Sequence, residues 1–297
     1  MDAALRQQFH EAYITGDKGR IGKVLEQDLP LTLIKFCSGR YESDGRNVFL
    51  DTVKKNKLWL SSPKTFNDPF DCVLNTDYEQ SLRDFSRPIF EKLFGSKAEE
   101  IFKSSDSQCA LQAKAMEVRP SFQERDQSVR ENLFVSCFSE KRNLDSLCMW
   151  GHYANCHTGF CIEYDFREIH QKIHQKVQQK RSVSMVPIVY QQTYSVKEPK
   201  GEASEAECRR FHLEVIFTKA LEWEYENEWR LLDICEDEKG KNGFPISFIK
   251  PVSVYIGCKA SELLIKDLTA ICTEQKIPLF QMEMKPGSFA LINHPIL

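Results

Sequence analysis

Between Trp223 and Arg230 the chain reads Trp-Glu-Tyr-Glu-Asn-Glu-Trp-Arg and runs straight into Leu231, Leu232, Asp233 and Ile234. On an extended strand successive side chains take opposite faces. The spacing therefore puts Glu224, Glu226 and Glu228 together, with Trp223, Tyr225, Asn227 and Trp229 behind them. Three like charges in a row leave a strand over 224–234 two options. It can turn a solvated acidic face to water over an aromatic core, or it can gather its carboxylates around something that needs them.

At 297 residues and 41% hydrophobic content, the chain can bury one large core or a domain with a sizeable insert. A net charge of −3 gives no global basic field for indiscriminate nucleic-acid binding, though it leaves local basic patches open. Eleven cysteines, an odd number, are scattered without pairing rhythm, and Met1-Asp2-Ala3-Ala4-Leu5-Arg6 has no apolar signal region. Free thiols in a reducing cytoplasm are the expectation. No apolar run approaches the roughly 18 residues of a membrane helix, so no membrane partner is expected.

Residues 1–30 form a helical lead, two short helices broken near Gly16-Asp17. Leu31–Cys37, Leu58–Ser62, Leu133–Ser139, Gly159–Tyr164, Val186–Tyr190, Val252–Gly257 and Pro278–Met284 have strand character. Helices are expected over 47–57, 147–153, 166–180, about 204–221, and 261–276 with Ser261 as N-cap. The stretch 78–132 turns polar and helical around a stripe of Phe85, Ile89, Phe90, Leu93 and Phe94 and reads as an insert or cap. Residues 198–204 look like a loop, and 236–243 like a charged hairpin turn joining the acidic strand to 245–249. The class is α+β, a single domain over 31–297 built on a mixed, largely antiparallel split sheet with flanking helices.

Two further clusters stand out. Phe66-Asn67-Asp68-Pro69-Phe70-Asp71 follows a strand, and Pro69 extends Asp68, so the acids either cap an Asx-turn or project toward a ligand. Cys148, His152, Cys156, His157 and Cys161 lie close together, but their spacings lack the paired thiols of structural zinc modules, and free cysteines are the stronger reading. Trp150, His152 and Tyr153 offer amphipathic rings beside an imidazole, suited to a planar heterocycle; the alternative is a partly buried helix. No phosphate-cradling glycine loop, nucleophile elbow or His-Glu-x-x-His occurs.

Leu58–Pro63 with Phe66–Asp71, Cys137-Phe138-Ser139, Met149–Tyr153 with Gly159-Phe160, and Trp223–Arg230 together resemble domain-of-unknown-function family 2971 of bacterial proteins, over roughly residues 31–260. Their order is also similar to that of ADP-ribosyltransferases, whose split sheet carries a basic residue on an early strand, a serine or aromatic motif on the next and a glutamate on a later one. The resemblance implies that Glu228 is that glutamate. It matches Lys35 in Lys35-Phe36-Cys37 but finds no arginine where the family has one; Arg40 is the nearest substitute.

On this resemblance the chain is an NAD-consuming transferase or glycohydrolase, a toxin or phage-defence effector acting on nucleic acid or protein. Glu228 would hold a ribose hydroxyl and stabilise positive charge on the sugar, Glu226 would activate the acceptor, and Arg230 would keep the carboxylates ionised. His152 would join them in catalysis. Lys35, Arg40, Ser61, Ser62, Phe66, Asn67, Asp68, Trp150, Tyr153 and Arg230 would line the NAD site, with no metal. Two other readings stay open: a magnesium phosphodiesterase or nuclease using Asp68, Asp71, Glu226 and Glu228, and a nucleotide-sensing module without turnover.

Overall fold

The computed structural model describes residues 1–73, 78–178, 182–193 and 205–297. The chain opens with α1 (Ala3–Thr15) and α2 (Lys18–Gln27). Gly16 separates them at φ 74°, and Asp17 caps the second through the Arg20 amide. β1 (Thr32–Cys37), α3 (Val48–Lys54) and β2 (Lys57–Ser61) follow, then the helices α4 (Tyr78–Phe94), α5 (Ala98–Lys103) and α6 (Ser105–Asn132). The middle of the chain runs β3 (Leu133–Glu140), α7 (Leu147–Tyr153), β4 (Phe160–Asp165), α8 (Phe166–Gln178), β5 (Ser182–Pro187), β6 (Val189–Gln191), α9 (Glu205–Phe217), β7 (Thr218–Ala220) and β8 (Glu228–Ile234). It closes with β9 (Gly243–Ser247), β10 (Ser253–Ile256), α10 (Glu262–Gln275), β11 (Leu279–Met284) and β12 (Leu291–Pro295). The fold is α+β, with a mixed, mostly antiparallel sheet.

The sheet branches at β3. One edge of β3 pairs with β8 along its whole length, from Leu133↔Ile234 to Ser139↔Glu228. The other edge is shared: β1 takes its C-terminal end at Leu33↔Glu140 and Ile34↔Ser139, and β2 its N-terminal half at Ser61↔Val135. Between those two attachments the sheet forks. Beyond β1 it continues through β4, β10, β11 and β12; beyond β2 it ends at β9; beyond β8 lies β5. Among the described residues only β10–β11 in this sheet is parallel, joined by α10 as a crossover, and Ser261 caps that helix through the Leu264 amide. Strand alternation sends Leu33, Ile162 and Val254 into one core layer and Ile34, Phe36, Cys161 and Tyr255 into the other.

Several expectations need correction. The acidic strand begins at Glu228, because Leu221–Glu226 form a 3-10 turn and Asn227 takes a left-handed conformation at φ 47°. Glu224 is exposed and does not share a face with the other two acids. The expected hairpin to β9 is absent, since β3 and β5 already occupy both edges of β8; β9 pairs instead with β2. The strand expected over 186–190 is two strands, β5 and β6, which pair with β8 and β7 respectively. β12 carries no pattern that the sequence analysis registered. The loop over 198–204 lies outside the described residues. In the insert, Phe90 packs on Phe102 at 5.3 Å, while Phe85, Ile89 and Leu93 stay at least 40% exposed. Among the described residues no helix is long and apolar enough to cross a membrane.

The loop between α7 and β4 is unusually tight. Asn155, Cys156 and His157 are consecutive left-handed residues at φ 49°, 55° and 68°. Each costs of order 1 kcal/mol in a non-glycine residue. Backbone bonds from Cys156 to Gly151, from Gly159 to Ala154 and from Lys259 to His157 hold them there. Gly159 and Gly257 make this packing possible: a Cβ on Gly159 would lie 2.2 Å from the Cys37 carbonyl oxygen, and one on Gly257 2.2 Å from that of His157. Both obstacles are backbone, so Gly257→Ala should lose about 3 kcal/mol of stability, the upper part of the overpacking range. Urea unfolding checks this, and an unchanged midpoint would show slack in the loop.

Candidate active site

A pocket of about 340 Å³ opens at the fork of the sheet. β1 contributes Ile34, Lys35 and Phe36; β2 and the turn after it contribute Ser61, Thr65, Phe66 and Asn67; β3 contributes Val135, Cys137, Phe138 and Ser139. The remaining wall is Met149, His152 and Tyr153 from α7, with Asp71, Lys219, Glu226 and Glu228 toward the floor.

Beneath the floor lies Arg230, with no solvent exposure. Its Nε donates to Glu228 Oε1 at 2.7 Å, Nη2 to Asp71 Oδ2 at 2.7 Å and to Glu228 Oε2 at 3.1 Å, and Nη1 to the Ile216 carbonyl at 2.8 Å. Nη1 also meets Cys72 Sγ at 3.2 Å. Lys219 stands between the acids, with Nζ 2.5 Å from Glu226 Oε2, 3.2 Å from Glu228 Oε2 and 3.7 Å from Asp71 Oδ2. Three carboxylates thus meet two cations, which leaves one negative charge in excess. Burial raises the Glu228 carboxyl, but Arg230 and Lys219 outweigh it and hold the group well below the ordinary carboxylate range. Glu226 goes the other way: burial and the neighbouring Glu228 charge push it up to about 7, with Lys219 only partly offsetting them. Burial lowers Lys219 and Arg230, yet the acids around them prevail and both remain firmly charged.

Two acids only two residues apart reach one ammonium because Asn227 reverses the chain locally. Asparagine tolerates the left-handed region better than most residues. Asn143 fixes the turn by donating to the carbonyls of Tyr225 at 2.8 Å and Glu226 at 2.6 Å. The free oxygen of Glu226 accepts the Tyr153 hydroxyl at 2.5 Å. Glu228 is braced through its main chain as well: its amide donates to Tyr190 Oη at 2.8 Å, and its carbonyl accepts Arg6 Nη1 at 2.8 Å. Arg6 belongs to α1, so the N-terminal helical lead packs directly behind the site, where Phe9 also meets Trp229 edge-on at 6.1 Å.

The opposite wall has a different character. Lys35 Nζ reaches the Cys137 carbonyl, left free in the fork, at 3.4 Å and lies 5.7 Å from the Phe138 ring centre. Among the described residues no carboxylate forms an ion pair with it. Phe36, Phe66 and Phe138 supply apolar walls. At the mouth, His152 Nδ1 lies 3.0 Å from Tyr225 Oη, and the His152 ring meets that of Trp223 at 6.2 Å.

Of the residues singled out in the sequence, Lys35, Ser61, Phe66, Asn67, Asp71, His152, Tyr153, Glu226 and Glu228 line this pocket. Arg40, Ser62, Asp68, Trp150, Arg230 and Cys161 do not. Arg40 is exposed beyond the end of β1. Ser62 is buried beside the turn after β2, one step out of phase with Ser61. Asp68 closes an Asx-turn on the Phe70 amide at 2.9 Å, the alternative left open above. Trp150 is core, its indole donating to the Leu144 carbonyl at 2.6 Å. Arg230 acts from below, with no surface in the pocket. Cys161 is core, and among the described residues no three His, Cys, Asp or Glu gather as a metal site. Sequence reasoning passed over Lys219, whose signal was a single charge inside Ile216-Phe217-Thr218-Lys219-Ala220-Leu221.

Residues 149–231 match the family model described as Protein of unknown function (DUF2971). The matched stretch begins at the α7 residues of the pocket wall and ends just past Arg230, so the similarity to DUF2971 spans His152, Tyr153, Lys219, Glu226, Glu228 and Arg230. No curated protein and no solved structure matches the chain.

Removing one member of a buried ion cluster leaves its partner charged and unpaired, at a cost of about 3–5 kcal/mol. Arg230→Met is expected to lose stability in that range by urea unfolding, and Lys35→Met, whose ammonium neutralises no buried acid, less than about 1 kcal/mol. Equal losses would refute the division between a structural floor and a free wall cation.

Proposed function

We propose that the chain is an ADP-ribosyltransferase-like enzyme that consumes NAD, releasing nicotinamide and passing ADP-ribose to water or to a nucleic-acid or protein acceptor. One observation carries this reading: two carboxylates share the Lys219 ammonium at the floor of a pocket, one held ionised and the other poised near neutrality. Environments that drive paired acids apart divide the labour of acid–base chemistry.

Breaking the bond from ribose C1′ to the nicotinamide nitrogen sends the bonding electrons out with a neutral leaving group and builds positive charge on the sugar. A carboxylate that stays ionised lowers the energy of that charge, and Glu228 meets the requirement. An acceptor O–H or N–H then adds to C1′ and must lose a proton. Glu226, reached through the pocket and steadied by Tyr153, takes it. Lys35 faces a ligand phosphate, the phenylalanine walls hold the pyridinium ring, and His152 with Tyr225 flanks the mouth where an acceptor enters.

The magnesium reading has less support. Asp68 is spent on its turn, and an ammonium and a guanidinium already occupy the space between Asp71, Glu226 and Glu228. A sensing module would bind the same ligand without turnover.

Nicotinamide release from NAD by purified protein, followed by chromatography, tests the proposal. Wild type should release nicotinamide in EDTA as in buffer, and Glu226→Gln and Glu228→Gln should each lower kcat by about 10²–10⁴. Binding without release in the presence of cell extract would favour the sensor. Glu226 must be ionised to accept a proton, so kcat/KM should rise with pH through about 7 and then level off. Glu226→Gln should remove that limb; an unaltered limb would take the role of base away from Glu226.

A further inference from the structure

The lysines on the pocket wall differ in what they have left to offer. Lys219 is committed to Glu226, Glu228 and Asp71, whereas Lys35 meets only a carbonyl oxygen and a ring face. Among the described residues the pocket therefore presents one uncommitted positive charge. Cations near it are spoken for or remote: Arg142 pairs with Glu140 at 3.2 Å, Lys64 donates to the Gly240 carbonyl, and Arg40 stands clear of the pocket. A dinucleotide brings two phosphates and an adenosine, and among the described residues no second free lysine or arginine lines the pocket to meet the other phosphate. The volume agrees, since about 340 Å³ lies at the small end of ligand clefts, which run from about 300 to 1,000 Å³.

We infer that recognition ends at the first phosphate, so that the pocket is complementary to a pyridinium riboside monophosphate and accepts nicotinamide mononucleotide as readily as NAD. The inference rests on the proposed chemistry and narrows its donor. With the mononucleotide the same C1′–N bond breaks, nicotinamide leaves with the electron pair, water adds to C1′ and gives its proton to Glu226, and ribose 5-phosphate is the product.

Calorimetric titration of Glu226→Gln, whose turnover is slowed by about 10²–10⁴, separates recognition from catalysis. Nicotinamide mononucleotide and NAD should bind with Kd values within about threefold of each other, and nicotinamide riboside, which lacks the phosphate, at least about tenfold more weakly. Adding Lys35→Met should weaken the mononucleotide about tenfold or more and leave the riboside unchanged, while Lys35→Arg should retain most of the affinity. NAD binding more than about tenfold tighter than the mononucleotide would overturn the inference, because adenosine would then be recognised elsewhere on the chain. So would a riboside that binds as well as its phosphate, or no binding by any of the three. Nicotinamide release by wild type is read separately: release from NAD but not from the mononucleotide sinks the inference and leaves the proposed function standing.

Discussion

Burying three carboxylates beneath one sheet would be prohibitive without compensating charge, and the fold around β8 is organised to supply it. Arg230 provides a planar fork able to serve Glu228 and Asp71 together, and Lys219 supplies a point charge reachable from three sides. Two distant stretches of chain deliver these groups: the turn after β2 brings Asp71, while β7, the turn before β8 and β8 itself bring Lys219, Glu226, Glu228 and Arg230. The cluster is thus a tertiary constraint as well as a site. Its unbalanced negative charge leaves Glu226 as the member that can exchange a proton without dismantling the rest.

Much of this was legible in the sequence, and what was hidden followed from geometry a linear pattern does not contain. The acids at 226 and 228 announced themselves because hydrophobic strands seldom open on carboxylates. Their actual arrangement was masked: period-two alternation grouped them with Glu224, but a left-handed Asn227 separates a 3-10 turn from the strand, and convergence on Lys219 replaces a shared strand face. Lys219 was silent because a lone lysine at the end of an apolar helix reads as a solvated terminus. Ser61 and Ser62 look equivalent in sequence and are separated by strand parity alone. Trp150 looked like a ligand platform beside His152, yet on a two-turn helix residues two positions apart point about 200° apart, onto opposite faces, which sends Trp150 into the core and His152 to the mouth.

Strand order was the least accessible level. Sequence adjacency favours a hairpin between β8 and β9, and neighbouring strands often do pair. Here β8 is interior, with β3 and β5 on its two edges, so β9 is displaced to β2 across the sheet. That choice builds the arm bounding one side of the pocket. The left-handed loop at 155–157 plays a comparable role at the end of α7, where glycines at 159 and 257 let backbones approach closely enough to anchor the helix that carries His152 and Tyr153.

The branching of the sheet at β3 has a mechanical side. β2 and β9 form a small ladder of five register pairs, yet β2 is tied to β3 through the single pair Ser61↔Val135. A ladder closed by one rung resists shear poorly, whereas the seam between β3 and β8 is stitched along seven. The arm bearing Ser61, Thr65, Phe66 and Asn67 is accordingly the compliant jaw of the fork, and β1 with Lys35 the rigid one. A ligand entering between them does its steric work against the softest seam in the sheet and leaves the charged floor undisturbed.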